Sequence, residues 1–331
     1  MNAGVGTIRV GRLRAVLLAL MLLSIGAIVA LWPAQRRGLV LYVTSDGATQ
    51  LAEAFARDSG VPVTVVRLST GPMLARIAAE AHRPQWALAW IDGDIAAAAL
   101  DRAGLLEHNT APAVNWTVTG RSLLPASGAW VPTGVTLAGV YVTRPGAHGP
   151  TGMPDPTLSG PAFPQIAGIV DQNGGWPRGQ SALRAMRAGG LSVAPTSPAV
   201  VAELHAGRIG RALIQSSTAV AIAARDPRVR LEMPDTAFLM PGVLMMAKGL
   251  PSETRADARR FIVFALSPRA HSLRMAGGTT DSFYWPLIRG FTPGPAMPPL
   301  AGITAKHLDP YRWAPLQAEI TAWFGSEIAR R

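Results

Sequence analysis

Residues 39–92 read LVLYVTSDGATQLAEAFARDSGVPVTVVRLSTGPMLARIAAEAHRPQWALAWID, and the pattern switches repeatedly between two periods. GLVLYVTS (38–45) is a continuous apolar run with β-branched residues, as suits a strand buried on both faces. Residues 47–59 place Leu51, Ala52, Phe55 and Ala56 on one helical face. VPVTVVRL (61–68) predicts a second strand, and residues 72–82 a second helix with Met73, Leu74, Ile77 and Ala78 inward. WALAWI (86–91) predicts a third strand, followed by a helix over 94–103. Strands and helices alternating at this spacing predict a parallel sheet with helices on both faces.

Toward the C-terminus the pattern loosens and then resumes. Residues 109–135 mix Pro, Gly, Ser and Trp with no sustained period, and VTLAGVYVT (135–143) predicts a strand. The Pro/Gly-rich stretch 144–164 marks a candidate domain crossing. A second α/β unit follows: strand AGIVDQ (167–172), helix 179–189, a helix capped by Ser197 with Pro198 at its first position, strand 211–216, helix 217–225 and strand 228–234. PGVLMMAKG (241–249) reads as a strand crossing back. Helix 253–266 carries Thr254 and Asp257 at capping-box spacing, and helix 268–276 stops at Gly277–Gly278. Residues 314–329 predict a terminal helix with Ile320, Trp323 and Phe324 facing inward.

Toward the N-terminus, residues 15–32 (AVLLALMLLSIGAIVALW) carry no charge. Eighteen helical residues span roughly 27 Å, close to a bilayer core of ~30 Å. Arg9, Arg12 and Arg14 precede the segment and no acid does, which predicts an export signal or a membrane anchor with its N-terminus held in the cytoplasm. Both alternatives stay open: Ala30 offers a cleavage position, while Ile28 is large for the position two before it. The formal charge of +11, from 31 Lys+Arg against 20 Asp+Glu, invites a nucleic-acid reading on its own. Five arginines lie within residues 1–37, however, and the remaining +6 is scattered with no basic stripe, so no nucleic-acid partner is expected. The chain has no cysteine, which excludes disulfides, thiolate metal sites, a cysteine nucleophile and a lipid-attachment thiol.

The stretch 39–107, with its STG turn opening a helix and its "D…A…L…AGLLE" run, resembles the start of a periplasmic solute-binding protein of an ABC importer. It is similar to the family 1 extracellular solute-binding proteins, the group of ferric-ion, phosphonate and other small-anion binders. AKGLPSETRADARRFIVFALSPRAHSLRMAGG (247–278) resembles a helix pair of the same family, whereas 108–240 resembles it only weakly. The resemblance implies an α/β, two-lobed periplasmic binding protein type II fold, with two domains joined by two crossing strands behind the export segment. Residues 1–37 would be the signal peptide or anchor, 38–140 plus 241–331 lobe I, and 141–240 lobe II. It further implies a monomeric periplasmic protein, not an enzyme, that needs no cofactor and hands a small ligand to an ABC permease. A membrane-tethered sensor on the same fold, or a scaffold that binds nothing, are the alternatives.

In open α/β sheets ligands sit beyond the carboxyl ends of strands, where helix N-termini offer free N–H groups. Candidate ligand-binding residues in lobe I are therefore Ser45 and Asp46, Thr70 and Gly71 in the turn before Pro72, and Asp92. Lobe II offers Asn173 in Asp171–Gln172–Asn173, and Ser216 and Ser217 at a strand-to-helix turn. Tyr284, in DSFYWP, falls where family members bring a loop near the cleft. Each of these also reads as an ordinary cap or core contact, and Asp46 and Asp92 read as well as contacts for a cationic part of the ligand. Ferric members of the family use adjacent tyrosines in lobe II, but Tyr42, Tyr141, Tyr284 and Tyr311 are never paired, so a bare ferric ion is not expected. The six histidines have no ligand spacing, and no metal is expected. G-x-S-x-G, Walker A, H-E-x-x-H and G-x-G-x-x-G motifs are all missing, and Lys248 and Lys306 are the only lysines. The diffuse positive charge and the helix-start turns point to a small polar anion as ligand.

Overall fold

The computed structural model describes residues 38–44, 47–146 and 148–329. The apolar segment 15–32 and two of the candidate ligand residues, Ser45 and Asp46, lie outside the described residues. Among the described residues no helix is long and apolar enough to cross a membrane.

Strand β1 (Leu39–Val43) forms a parallel pair with β2 (Val63–Arg67) on one side and with β3 (Leu88–Asp92) on the other. Leu39, Leu41, Tyr42 and Val43 are wholly buried, as a central strand covered on both faces must be. Helix α1 (Gly47–Ser59) joins β1 to β2, α2 (Thr70–Ala79) joins β2 to β3, and α3 (Asp94–Arg102) follows β3. The short helix α4 (Val118–Ser122) precedes the long strand β4 (Trp130–Ala138), every residue of which is buried. β4 pairs antiparallel with β10 (Ala237–Met246), which also lies antiparallel to β3 and carries β11 (Ala305–Lys306) at its other end. These strands make up one six-stranded sheet.

The second sheet runs β7-β6-β8-β5-β9 and uses β5 (Val140–Thr143), β6 (Thr151–Pro154), β7 (Ser192–Ala194), β8 (Arg211–Ile214) and β9 (Arg230–Glu232). Its helices are α5 (Ala162–Gln172), α6 (Gly179–Ala188), α7 (Ser197–His205) and α8 (Ser216–Ala223). The chain passes between the sheets at Gly139 and returns between β9 and β10. Gly139 has φ +85°, a conformation that a side chain would strain, and it lets the backbone turn from β4 in one sheet into β5 in the other within a single residue. After β10, helices α9 (Ser252–Ala265) and α10 (Pro268–Ala276) cover the first sheet, with Phe261 and Phe264 5.1 and 5.6 Å from the ring of Phe55 on α1. The chain ends in α11 (Pro310–Trp313) and α12 (Gln317–Phe324), continued by a wider turn to Ala329.

Four sequence expectations change. Residues 167–172 belong to a helix, α5, because Ala162 to Gly168 are buried without interruption and the 3.6-residue period leaves no polar stripe to reveal it. The stretch 135–143 is two strands in two sheets, not one. Thr196 rather than Ser197 caps α7, its hydroxyl accepting from the Ala199 N–H. The capping box at Thr254 does not form: α9 starts earlier, after Pro251, and Asp257 pairs instead with Arg260 at 3.0 Å.

Candidate functional site

The parallel register of β1, β2 and β3 sets Val43 beside both Arg67 and Trp90, so the strands end along one edge. Thr44, Ser69, Thr70 and Asp92 are thereby delivered to one wall of a cavity of about 470 Å³. The opposite wall comes from the second sheet: Ser159 in the loop after β6, Ser197 at the start of α7, and Gln215 and Thr218 at the start of α8. Asp281, in the turn after α10, completes the first wall.

The first wall is charged. Asp92 is half-buried at the end of β3, and no described residue donates a hydrogen bond to it or pairs with it. Its carboxyl is pushed up to about 7, first by burial and then by the negative charge of Asp281, while Arg274 offsets part of both effects. Asp281 accepts from the Gly47 N–H at 2.6 Å. Among the described residues Arg274 forms no ion pair with either carboxylate: it donates to the Thr133 carbonyl at 2.7 Å and lies over the Tyr284 ring at 3.6 Å. Below these groups a water-sized space of about 30 Å³ is shared by Asp92, Arg274 and Asp281. Arg67 also lines the main cavity.

The second wall is neutral and rich in hydrogen-bonding groups. Ser197 and Gln215 are 7% and 9% exposed, and the Ser197 hydroxyl and the Gln215 amide oxygen have no partner among the described residues. Gln215 bonds to the Ser217 hydroxyl at 2.5 Å through its amide nitrogen; turning the amide over would set its oxygen on that hydroxyl and leave the nitrogen as the unpartnered atom instead. Both residues stand at helix starts, where the first N–H groups have no acceptor within the helix and the dipole concentrates roughly half a positive charge. At α2 the N-cap Ser69 likewise leaves its side chain unused by its own helix.

The expected site residues separate into groups. Thr70 and Asp92 line the cavity. Gly71 lies beside it, where the two walls touch: a Cβ there would collide with the Thr157 carbonyl oxygen, and one at Gly160 would meet the Thr70 hydroxyl. Ser217 stands one layer back as partner of Gln215. Ser216 is wholly buried and accepts from the Leu137 N–H at 2.9 Å, fastening α8 to β4. Asn173 is not brought to the cleft; it ends α5 and donates to the Ile169 carbonyl at 2.7 Å. Tyr284 is buried behind the first wall, its hydroxyl 2.6 Å from His271 Nδ1. None of the four tyrosines lines the cavity. Tyr42, for example, is buried on β1 against Glu80 at 3.0 Å, and its hydroxyl is raised to about 12, first by burial.

Sequence reasoning missed Ser159, Ser197, Gln215 and Asp281 as site residues. The Thr196–Ser197–Pro198 helix start carries a signal of the same kind as Ser69–Thr70–Gly71–Pro72, and could have been read the same way. Asp281 carries none, since its position depends on a contact with Gly47, distant in sequence.

A model of the bacterial extracellular solute-binding proteins matches residues 44–278. No curated protein matches the chain. Among solved structures, the periplasmic binding protein P5PA is similar at 18% identity and TM-score 0.77, over 88% of this chain and 100% of its own. AfuA from Actinobacillus pleuropneumoniae, with exogenous fructose-6-phosphate bound, is similar at 16% identity and TM-score 0.76, over 89% of this chain and 99% of its own. Iron-bound HitA from Pseudomonas aeruginosa is similar at 17% identity and TM-score 0.70, over 88% and 99%. With most of its length matched by the family and two α/β sheets flanking a polar cleft, the chain belongs to the bacterial extracellular solute-binding proteins.

Proposed function

We propose that this chain captures a small polar anion between its two walls and delivers it to the permease of an ABC importer. The solute-binding role follows from the family; the anion rests on one observation. Ser197 and Gln215, each more than nine-tenths buried, line the cavity at two helix starts and hold polar atoms with no partner among the described residues. Backbone N–H groups and the positive end of a helix dipole favour an oxyanion there. Thr70, at the start of α2, and Asp92 are the ligand contacts on the other wall. The fold alone does not choose the ligand, since one similar protein holds iron and another fructose-6-phosphate. Four tyrosines engaged outside the cavity speak against a bare ferric ion here.

In this reading residues 38–140 plus 241–331 are one lobe and 141–240 the other, and they close by a hinge at the crossings near Gly139 and before β10. The chain works outside the cytoplasm, freed by cleavage after residues 15–32 or held by them. A calorimetric screen of the exported protein tests the ligand class: affinity for small phosphate esters or other oxyanions is expected, and affinity confined to neutral or cationic solutes would overturn it. N-terminal sequencing distinguishes the free from the tethered form.

A further inference from the structure

An anion accounts for the second wall of the cleft but not for the first. Asp92 and Asp281 both line the cavity; among the described residues neither forms an ion pair and none donates a hydrogen bond to Asp92. Partly buried carboxylates with no cation paired to them are costly even where, as at Asp281, a backbone N–H donates to one, so a cleft built only for an anion would not carry two of them. Arg274, the cation of this neighbourhood, is committed to the Thr133 carbonyl and to the Tyr284 and Trp90 rings. Across the cavity the groups are of the opposite kind: Ser197 and Gln215 at helix starts, unpartnered and buried. The Ser69 hydroxyl and Arg67 stand on the first wall near α2, away from the end of β3 by the width of β1. The cavity, about 470 Å³, has room for a solute with two unlike ends.

We infer that the ligand is dipolar: an oxyanion seated at the starts of α7 and α8, joined to an ammonium group that donates to Asp92 and Asp281. This inference rests on the anion reading above and narrows it. An ammonium supplies three donors and one positive charge, which is what a pair of unneutralised carboxylates lacks. A polyhydroxyl anion would supply donors without the charge, and would leave the repulsion between the two carboxylates in place.

Four probes separate these cases by calorimetry on the exported protein: O-phosphoethanolamine, ethyl phosphate, glycerol 3-phosphate and ethanolamine. O-Phosphoethanolamine is expected to bind at least about tenfold more tightly than either of the other phosphates. At pH 8, where Asp92 is ionised, Asp92→Asn is expected to bring that ratio close to one, with ethyl phosphate gaining affinity as a negative charge leaves the cavity. Should the substituted protein not fold, as judged by its thermal melt, Asp281→Asn is read for the same collapse. Equal or tighter binding of ethyl phosphate or glycerol 3-phosphate overturns the dipolar class and leaves the anion reading standing. Binding of ethanolamine with none of the phosphates overturns the anion reading, and no binding by any probe at millimolar concentration overturns both.

Discussion

The two walls of the cleft solve one problem in different ways. The wall from the first sheet uses formal charge: Asp92 and Asp281, with Arg67 lining the same space and Arg274 beneath. The wall from the second sheet uses no formal charge at all, only neutral polar groups such as Ser159, Thr196, Ser197, Gln215 and Thr218 at loops and helix starts. A charged wall discriminates by sign and responds to pH, whereas a wall of oriented dipoles discriminates by geometry and does not titrate. The walls should therefore fail differently when altered.

The strongest way to break the comparison is to keep both walls and stop them meeting. Gly71→Ala sets a methyl group against the Thr157 carbonyl oxygen, which is backbone and cannot rotate aside. Within α2 the same change favours the helix by about 0.5–1 kcal/mol. Melting temperature is expected to hold or rise while affinity for the tightest probe falls by about 1,000-fold, or ~4 kcal/mol. Small-angle scattering should show a ligand-independent, more open particle. Unchanged affinity would mean that the contact at Gly71 is incidental to closure.

Next in size is the charged wall. Asp92 holds its proton up to about 7 when folded, against 3.8 ordinarily, with Asp281 facing it from the turn after α10 and Arg274 from α10 itself. Between about pH 4 and 7 the folded protein keeps a proton there that the unfolded chain has released, so this group's contribution to stability falls as pH rises through that window. Asp92→Asn should thus be more stable than the parent at pH 8, by roughly 2–3 kcal/mol in urea unfolding, with the difference gone by about pH 4. A variant less stable at pH 8 would show that the carboxylate is satisfied by a partner in the folded state.

The dipolar wall should show the reverse coupling. Ser197→Ala removes a buried hydroxyl that has no partner among the described residues. Stability should rise slightly, by up to about 1 kcal/mol, because an unsatisfied buried group is removed. Phosphate affinity should drop about 5- to 10-fold, equally at pH 5 and pH 8, through the loss of one hydrogen bond. A pH-dependent loss would blur the contrast between the walls.

These walls were not equally legible in the sequence. Residues 39–92 declare themselves because strands buried on both faces alternate with helices that keep one polar face, and the turns between them must hold the site. Helix α10 is bracketed by Ser267–Pro268 and Gly277–Gly278, and its bounds follow from those residues alone. Helix α5 is hidden because it is packed all round, and an apolar run without period looks like a strand. Mistaking it for a strand turned Asn173 into a strand-end residue when it is a helix C-cap. Asp281 belongs to neither pattern; it joins the wall only because tertiary packing lays its turn on the start of α1.

The smallest expected effect tests what lies behind the charged wall rather than on it. His271 has two partners: its Nε2 reaches the Thr292 carbonyl at 3.1 Å and its Nδ1 the Tyr284 hydroxyl at 2.6 Å. A carbonyl only accepts, so Nε2 carries the proton, and a neutral ring then accepts at Nδ1 from the tyrosine O–H. Burial holds the ring below its ordinary pKa, consistent with the neutral form. Tyr284→Phe deletes that donor while preserving the ring under Arg274 and against Gly134. The cost should be about 0.5–1.5 kcal/mol of stability. Probe affinity should stay within about twofold, since the hydroxyl points at His271 and not into the cavity. A tenfold loss of affinity with stability intact would bring Tyr284 to the ligand after all, and would make the charged wall thicker than its lining residues suggest.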